Sequence, residues 1–327
     1  MNLKKVFFIK QGSQNYRRCV FMINKDVLGL RDLSAMEIQE ILNTATLMRP
    51  LMDSRNKKIT YLQGKNVVTL FYENSTRTRV SFELAAKYLG ATTTNISVAT
   101  SSVNKGETLI DTVRTLQAMG VDIVIMRHPM TGAPKILSEH VDVKVINAGD
   151  GINEHPTQAL LDLYTMQTNK GRIKDLKVVI AGDILHSRVA RSNIWGLTKL
   201  GAKVVLTGPS TLIPRGVEKL GVEVSYNIKE AVKDVDVVMA LRIQKERQES
   251  GLFPSLREYH KFFGINEKIL SYAKPDALVM HPGPVNRGVE LTSQIIDEEH
   301  SVIEEQVTNG VAIRMALLYL MTRGGNL

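Results

Sequence analysis

Apolar runs of strand type alternate with helical patterns along most of this 327-residue chain, and this alternation is the strongest constraint on its fold. The first such run, NVVTLFY at 66–72, is followed by apolar residues at helical spacing. Further strands are predicted at 93–97, 122–126, 144–147, 177–181, 203–207, 223–226, 235–240 and 277–280. Alternating strands and helices favour parallel sheets with right-handed crossovers. The sequence therefore predicts an α/β fold of two doubly wound parallel-sheet domains joined by helices.

A polar stretch, NKGRIKD, marks a candidate domain boundary near 168–175. A chain of this length exceeds one ordinary hydrophobic core, so two domains are expected. We predict a first domain at 22–168, a second at 169–308 and a final helical segment at 309–327. The apolar pieces of residues 1–21 are too short for a signal-peptide core, so we predict either a disordered extension or an upstream-start artefact there. Helices are predicted at 35–47 (after the N-cap Ser34), 107–119, 156–167 and 311–321.

The chain carries 42 Lys and Arg against 33 Asp and Glu, which gives a net charge of +9. This excess favours anionic partners, either nucleic acid or small phosphate and carboxylate ligands. Cys19 is the only cysteine, which excludes an internal disulfide and a multi-cysteine zinc site and fits a reducing cytoplasm. No apolar stretch approaches the length of a membrane span, so no membrane partner is expected.

The stretch ENSTRTRVSFE at 73–83 gathers hydroxyls and arginines where the first strand ends and a helix begins. Ligands of open α/β sheets bind at the carboxyl ends of strands, and a helix N-terminus offers N–H groups to anions. Ser75, Thr76 and Thr78 add hydroxyl donors, and Arg77 adds a planar fork that matches two phosphate oxygens. The motif favours a phosphate site. A capped helix start with two solvated arginines is the alternative.

Two further strand ends carry side chains suited to a carbonyl oxygen or an anion. The third strand ends near Arg127, which is either a ligand contact or an ordinary surface arginine. The fourth is followed by INAGDGINEHPTQ at 146–158, where Pro156 suits the first turn of a helix and His155 precedes it. A histidine at a helix N-terminus tends to stay neutral and can donate to a carbonyl oxygen, and Gln158 lies one turn further on.

The remaining polar clusters have two interpretations each. The loop TSSVNKGET at 100–108 presents Lys105 as a mobile cation, or is a solvated loop. Side chains that suit a dicarboxylate, or a charged helix start, follow two later strands: Arg188, Arg242, Gln244 and Arg247. The string MHPGPVNRG at 280–288 ends the last strand, and its backbone carbonyls can accept hydrogen bonds.

Together these strings resemble the catalytic chains of the aspartate carbamoyltransferase (aspartate transcarbamoylase) family. The matches are ENSTRTRVSFE, SSVNKGET, MRHP, INAGDGINEHPTQALLDLYT, RIQKER and MHPGPVNRG, in family order over roughly residues 70–290. STRTR and HPTQ are typical of transcarbamoylases generally, whereas RIQKER and HPGPVNRG indicate aspartate as acceptor. The resemblance implies transfer of a carbamoyl group from carbamoyl phosphate to aspartate in pyrimidine biosynthesis, with no metal and no cofactor. It also implies that the C-terminal helix packs back on the first domain.

The resemblance also implies a role for each matched residue. Carbamoyl phosphate would be bound by Ser75, Thr76, Arg77, Thr78, Arg127, His155, Gln158, Gly283 and Pro284. Aspartate would be bound by Lys105, Arg188, Arg242 and Gln244. The catalytic set would be Arg77, Thr78, Lys105, Arg127 and His155. Ser101 and Lys105 would come from a neighbouring subunit of a homotrimer, and Glu73 and Arg247 would bridge the domains on closure. Whether regulatory chains or a dihydroorotase bind such a trimer stays open.

Two other functions agree less well with the sequence. A transcarbamoylase for another amine, such as ornithine, is disfavoured because a cationic acceptor would be repelled by additional arginines such as Arg242. Ornithine enzymes also typically carry a His-Cys-Leu-Pro string, where this chain has His281-Pro282-Gly283-Pro284. A nucleic-acid or dinucleotide-binding protein is disfavoured because the glycine-rich nucleotide motifs are missing and aromatic residues make up only 6% of the chain.

Overall fold

The structure, a computed structural model, describes residues 26–54, 59–97, 107–243 and 255–322. Within these ranges it contains two sheets whose paired strands are all parallel. Helices pack against both sheets, so the predicted α/β fold with two domains is confirmed. The predicted extension at 1–21 lies outside the described residues, and the exact domain boundaries stay predictions.

The first sheet has four strands in the order β2-β1-β3-β4. The strands are β1 (Asn66–Phe71), β2 (Thr92–Ser97), β3 (Ile123–His128) and β4 (Lys144–Asp150). The accompanying helices are α1 (Ala35–Met48), α2 (Thr76–Tyr88), α3 (Leu109–Ala118), α4 (Ala133–Ser138) and α5 (Pro156–Lys170), with a 3-10 helix at Arg49–Met52. Alternate strand residues enter different cores: Val67 lies in the large core and Leu70 in a smaller one on the opposite face. Both faces of the sheet are therefore covered, as a parallel sheet requires.

Local signals in the sequence account for the start of α1. The Ser34 hydroxyl accepts the backbone N–H of Glu37 at 3.2 Å, and the Glu37 carboxylate accepts the N–H of Ser34 at 2.7 Å. This reciprocal pair satisfies N–H groups that an uncapped helix start would leave without intrahelical partners. The predicted N-cap is confirmed.

The second sheet has five strands in the order β7-β6-β5-β8-β9. The strands are β5 (Lys177–Ala181), β6 (Lys203–Thr207), β7 (Glu223–Val224), β8 (Val237–Ala240) and β9 (Leu278–Met280). The helices are α6 (Arg188–Lys199), α7 (Ile228–Val232), α8 (Leu256–Phe263), α9 (Glu267–Leu270), α10 (Ser293–Ile296) and α11 (Ile303–Thr322), with 3-10 helices at Ser210–Leu212 and Val217–Leu220. Val178 lies in the large core and Val179 in a separate core on the other face, so this sheet is also covered on both sides.

The final helix α11 is longer than the sequence predicted and begins at Ile303 rather than at 311. The polar residues in its first half interrupt the apolar pattern from which the helix was predicted. Gln306 and Asn309 are nevertheless each only 2% exposed. Their side chains serve buried hydrogen bonds instead of facing solvent. α11 packs against α1, α2 and α5, which confirms the predicted return of the C-terminal helix to the first domain.

Several strand ends differ from the predicted ones for identifiable reasons. β8 begins at Val237 rather than 235, because the Asp236 carboxylate accepts the N–H of Lys177 at 2.8 Å and an ion pair from Lys274 at 2.6 Å. β7 ends at Val224 because hydrogen bonds between Ser225 and Asn227 turn the chain into α7. Among the described residues, none of the helices combines the length and hydrophobicity that crossing a membrane requires.

Candidate active site

One cavity of about 530 Å³ lies where the carboxyl ends of the two sheets meet. It is lined by residues at or beyond the carboxyl ends of β1, β3 and β4 of the first sheet and β5, β8 and β9 of the second, and by residues of α11. The predicted site residues that line it are Glu73, Ser75, Thr76, Arg77, Thr78, Arg127, His155, Gln158, Arg188, Arg242, Gly283 and Pro284. The other predicted site residues, Ser101, Lys105, Gln244 and Arg247, lie outside the described residues. The cavity thus collects residues predicted for two different ligands.

The N-terminus of α2 forms one wall of this cavity. Ser75 is the N-cap, with extended backbone angles, and its side chain makes no capping hydrogen bond. The first-turn N–H groups of α2 are therefore not taken up by that hydroxyl, at the helix end that attracts anions. Thr78 is 7% exposed, whereas Arg77 is well exposed at the cavity. This geometry is suited to a phosphate group.

The loop after β9 runs directly against Arg77. A Cβ atom on Gly283 would lie 2.6 Å from Arg77 Nη1, and the φ of Gly283 is +66°, so a side chain here would be strained and would displace the guanidinium. Partial burial, and then repulsion from Arg242, lowers the pKa of Arg77. The loop therefore brings backbone into close contact with the cation that faces the cavity.

His281 is a site residue to which the sequence assigned no role. Its Nδ1 accepts the N–H of Gly283 at 2.8 Å, which places the ring proton on Nε2. Burial, followed by repulsion from Arg77 and Arg242, lowers the pKa of His281 to about 3. The imidazole is therefore neutral at physiological pH and lines the cavity as a hydrogen-bond donor.

His155 is held in place through its backbone by the second domain. It is the N-cap of α5, with Pro156 in the first turn as predicted. The N–H of His155 donates to Ser192 Oγ at 2.8 Å, and that hydroxyl donates to the buried carboxylate of Glu154 at 2.9 Å. Since Ser192 belongs to α6, this chain of hydrogen bonds connects α6 to the start of α5 beside the cavity.

Glu73 joins two of the cavity arginines. Its Oε1 accepts from Arg127 Nη2 at 3.1 Å and from Arg188 Nη2 at 3.1 Å, and its Oε2 accepts from Arg188 Nη1 at 2.9 Å. Arg188 is only 3% exposed and begins α6, whereas Arg127 lies on β3. Glu73 therefore bridges the two domains through Arg188; its predicted partnership with Arg247 lies outside the described residues.

The segment that carries Arg242 is anchored by a buried carboxylate. The N–H of Ile243 donates to Glu290 Oε1 at 2.8 Å, and the Asn286 side chain donates to the same oxygen at 2.6 Å. Burial raises the pKa of Glu290, and these hydrogen bonds oppose that shift. The loops after β8 and β9 are thereby connected behind the cavity.

Arg314 and its surroundings are a second part of the site that the sequence did not predict. Arg314, on α11, lines the cavity and is 3% exposed; it donates to Ser81 Oγ on α2 at 3.0 Å and to Thr157 Oγ1 on α5 at 3.3 Å. Burial lowers the pKa of Arg314 to about 9, and the carboxylate of Asp162 opposes that shift. The single charge within the apolar run at 310–321 of α11 was the signal available in the sequence.

The lining of the cavity is strongly positive. Among the described residues it contains Arg77, Arg127, Arg188, Arg242 and Arg314, with Glu73 as the acidic residue. Each guanidinium is a planar donor suited to phosphate or carboxylate oxygens. The arrangement can hold anionic groups beside hydroxyl, imidazole and amide groups suited to a carbonyl.

Family comparisons agree with this geometry. Residues 25–168 match the carbamoyl-P binding domain of the aspartate/ornithine carbamoyltransferases, and residues 174–321 match their Asp/Orn binding domain. The chain belongs to the aspartate/ornithine carbamoyltransferase family.

Individual relatives narrow the comparison. The chain is 65% identical to the aspartate carbamoyltransferase catalytic subunit of Ruminiclostridium cellulolyticum over 92% of its own length and 96% of that protein. It is 66% identical to the same subunit of Acetivibrio thermocellus, with the same coverage. Among solved structures, it resembles Trypanosoma cruzi aspartate transcarbamoylase in complex with carbamoyl phosphate and aspartate (31% identity, TM-score 0.82, 90% of this chain and 96% of that chain). It also resembles the ornithine carbamoyltransferase of Pyrococcus furiosus (34% identity, TM-score 0.82, 93% and 98% covered).

Proposed function

We propose that this chain transfers the carbamoyl group of carbamoyl phosphate to the α-amino group of L-aspartate, giving N-carbamoyl-L-aspartate and phosphate, in pyrimidine biosynthesis. The observation that carries the proposal is that the α2 N-terminus and Arg77 line the same cavity as Arg188 and Arg242. The catalytic-subunit relatives, about two-thirds identical over most of the chain, support the same activity.

The donor is held at the first-domain side of the cavity. The phosphate of carbamoyl phosphate binds the first turn of α2 through Ser75, Thr76 and Thr78, with Arg77 as its counter-charge. The carbamoyl oxygen faces the N–H donors of Arg127 and His155. Gln158, one turn into α5, lies beside the carbamoyl nitrogen, and the backbone of Gly283 and Pro284 completes the pocket.

The reaction is a direct displacement. The neutral amine of aspartate attacks the carbamoyl carbon, a C–N bond forms, and the C–O bond to phosphate breaks. The amine loses one proton, which the departing phosphate accepts. Thr78, Arg127 and His155 stabilise the oxyanion that develops on the carbonyl oxygen, and one such contact is typically worth about 3–4 kcal/mol. Holding both substrates in register replaces an encounter in solution.

The acceptor is held by Arg188 and Arg242, together with Gln244 and Lys105. Two guanidinium groups at the cavity favour a dicarboxylate, and they repel the side-chain ammonium of ornithine. This preference separates the proposed activity from that of the ornithine enzymes, whose fold the chain also resembles.

We further propose a cytoplasmic homotrimer in which Ser101 and Lys105 complete the site of a neighbouring subunit. Support comes from the face of α2 next to the edge strand β2, where Val80 and Leu84 are 43% and 36% exposed. Apolar side chains at that exposure, beside an edge strand, suit burial against a second chain.

One assay tests the proposed activity. The purified protein is incubated with carbamoyl phosphate and either L-aspartate or L-ornithine, and carbamoylated product is quantified. We expect turnover with aspartate and far lower kcat/KM with ornithine. Faster turnover with ornithine would refute the assignment of the acceptor, and no release of phosphate with any amine would refute the transferase itself.

A further inference from the structure

Behind the cavity, the carboxylate of Asp162 is fully buried and accepts hydrogen bonds from the side-chain amides of three helices. Oδ1 accepts from Gln158 Nε2 at 2.9 Å and from Gln306 Nε2 at 2.7 Å. Oδ2 accepts from Asn193 Nδ2 at 2.8 Å. The donors belong to α5, α11 and α6 respectively. Asp162 does not line the cavity itself, whereas Gln158 and Gln306 do.

The hydrogen bond to Asp162 fixes which end of the Gln158 amide is available to a ligand. A carboxylate only accepts hydrogen bonds, so each amide must turn its NH2 group towards it. One N–H of Gln158 Nε2 is therefore used by Asp162. With the NH2 group turned towards the carboxylate, we infer that Oε1 is the acceptor atom that Gln158, a lining residue, offers to the cavity. Without Asp162 the amide could rotate by 180° and offer its NH2 group instead, because the two ends of an amide have nearly the same shape.

The Gln306 amide is oriented by the same carboxylate oxygen. Its Nε2 is held by Asp162, and its Oε1 accepts the backbone N–H of His281 at 3.0 Å. The orientation of both glutamines thus follows from one buried charge. Through Gln306, Asp162 supports the backbone of the loop after β9. Through Gln158, it acts on a residue that lines the ligand cavity.

We propose that Asp162 is a positioning residue that holds the Gln158 amide with its oxygen towards the cavity and thereby selects acyl phosphates whose acyl group carries an NH2. This inference rests on the proposed function, since it concerns the donor of that reaction. The NH2 of carbamoyl phosphate donates to Gln158 Oε1. Acetyl phosphate, in which a methyl group replaces the NH2, is nearly the same shape but leaves that oxygen without a donor. Sites built to hydrogen-bond a substrate group reject the analogue that lacks it.

The test compares how each variant distinguishes the two acyl phosphates. The discrimination ratio is the inhibition constant of acetyl phosphate, measured against carbamoyl phosphate, divided by the KM for carbamoyl phosphate. Measurements at about pH 8.5 keep the Asp162 carboxylate ionised. Asp162→Leu removes every acceptor at this position while keeping a similar size. We expect this variant to lower the ratio by about tenfold, mostly through a higher KM for carbamoyl phosphate.

Two matched variants separate orientation from general disturbance. Asp162→Asn keeps one acceptor oxygen for Gln158, so it is expected to restore most of the ratio. Asn193→Ala removes a hydrogen bond to the other carboxylate oxygen without touching Gln158, so the ratio is expected to stay unchanged. Inhibition by inorganic phosphate, which binds the α2 side of the cavity, is expected to be the same in every variant. An equal fall of the ratio in Asp162→Leu and Asn193→Ala would overturn the proposal.

A variant on the cavity side keeps the test decisive if Asp162→Leu does not fold. Gln158→Met removes the oxygen itself from a partly exposed position and is expected to lower the ratio by the same tenfold factor. The double variant Gln158→Met with Asp162→Asn is expected to have the same discrimination ratio as Gln158→Met alone. An unchanged ratio in Gln158→Met would refute the inference. If the wild-type protein carbamoylates aspartate in the same experiments, the proposed function stands even when the inference about Asp162 is refuted.

Discussion

Glu73 accepts two hydrogen bonds from Arg188, at 2.9 and 3.1 Å, across the junction between the two domains. The same carboxylate accepts from Arg127 at 3.1 Å, so it holds two guanidinium groups side by side at the cavity. Without its negative charge these groups would repel one another, and both belong to the proposed substrate contacts. The pairing of Glu73 with Arg188 therefore links the two domains and also holds positive charge at the site.

Replacing Glu73 with glutamine keeps its shape and removes its charge. We expect Glu73→Gln to raise the KM for aspartate by about tenfold, about 1.4 kcal/mol, because Arg188 loses the partner that orients it. Steady-state kinetics with varied aspartate measures the effect. Asp53→Asn is the control: Asp53 pairs with Arg49 four residues earlier and is exposed, and such a pair is worth about 0.3–0.5 kcal/mol. A KM equal in both variants would contradict the assigned role of Glu73.

Gly149 also lies against Arg188. A Cβ atom there would lie 2.9 Å from Arg188 Cζ, and the φ of Gly149 is +117°. Gly149→Ala is expected to push the guanidinium out of place and to raise the KM for aspartate by about five- to tenfold, about 1–1.4 kcal/mol. Kinetics with varied aspartate, and with varied carbamoyl phosphate, would localise the effect to the acceptor.

Gly221→Ala controls for backbone strain in that experiment. The φ of Gly221 is +79°, and a Cβ atom there would have no neighbour within 4 Å. Both alanines carry the strain of a positive φ, on the order of 1–2 kcal/mol of stability. Thermal unfolding should therefore shift in both variants, while the KM should rise only in Gly149→Ala. A rise in both would attribute the kinetic effect to instability.

Shared active sites can be tested by mixing two inactive proteins. Arg77→Ala removes the counter-charge of the leaving phosphate and is expected to lower kcat by about 10²–10³-fold; Lys105→Ala is expected to be similarly impaired. If each site combines Arg77 of one subunit with Lys105 of the next, random mixed trimers regain about a quarter of the wild-type activity. The activity of the dissociated and reassembled mixture is the readout. A mixture no more active than the sum of its parts argues for sites within one chain.

The buried carboxyl of Asp162 makes stability depend on pH. Burial raises its pKa from 3.8 to about 7, against the hydrogen bonds of Asn193, Gln306 and Gln158. Between these two values the unfolded chain has lost the proton that the folded chain still holds, so the free energy of unfolding falls as pH rises from about 4 to about 7. Asp162→Asn lacks this contribution.

Urea unfolding of wild type and Asp162→Asn at several pH values, at one protein concentration, isolates that contribution. The difference between the two free energies of unfolding is expected to change steadily up to about pH 7 and to be constant above about pH 8. A difference that is constant from pH 4 to pH 8 would mean that the folded carboxyl has its ordinary pKa.

Features that depend on neighbouring residues in sequence were predictable, and those that depend on distant residues were not. The Ser34 cap, the strands at Lys177–Ala181 and Lys203–Thr207, and the hydroxyl-rich start of α2 follow from local patterns and agree with the structure. The pairing of Glu73 with Arg188 joins residues 115 positions apart and has no local signal. It arises only when the carboxyl ends of two separate sheets meet.

Buried polar residues were the main omission. Asp162 lies in an apolar helical stretch, where a single acidic residue looks like one solvent-facing position of the repeat. Arg314 likewise interrupts an apolar run of α11, and only the packing of α11 against α2 and α5 shows that both faces are covered. A single charge within a largely apolar helical run, as at 159–166 and 310–321, is the pattern that would have identified both.

Because α11 packs on the first domain, the core of that domain is complete only when the end of the chain has been synthesised. The apolar faces of α1, α2 and α5 emerge early, but the helix that covers them follows the entire second domain. At about 5–20 residues per second, the roughly 150 residues between α5 and the end of α11 take on the order of ten seconds to synthesise. During that interval the second sheet can fold while the core of the first domain is still incomplete. The domain that is translated first is therefore completed last. Nascent chains halted before residue 303 would therefore expose the apolar faces of α1, α2 and α5 to chaperones and proteases. In full-length chains α11 covers these faces.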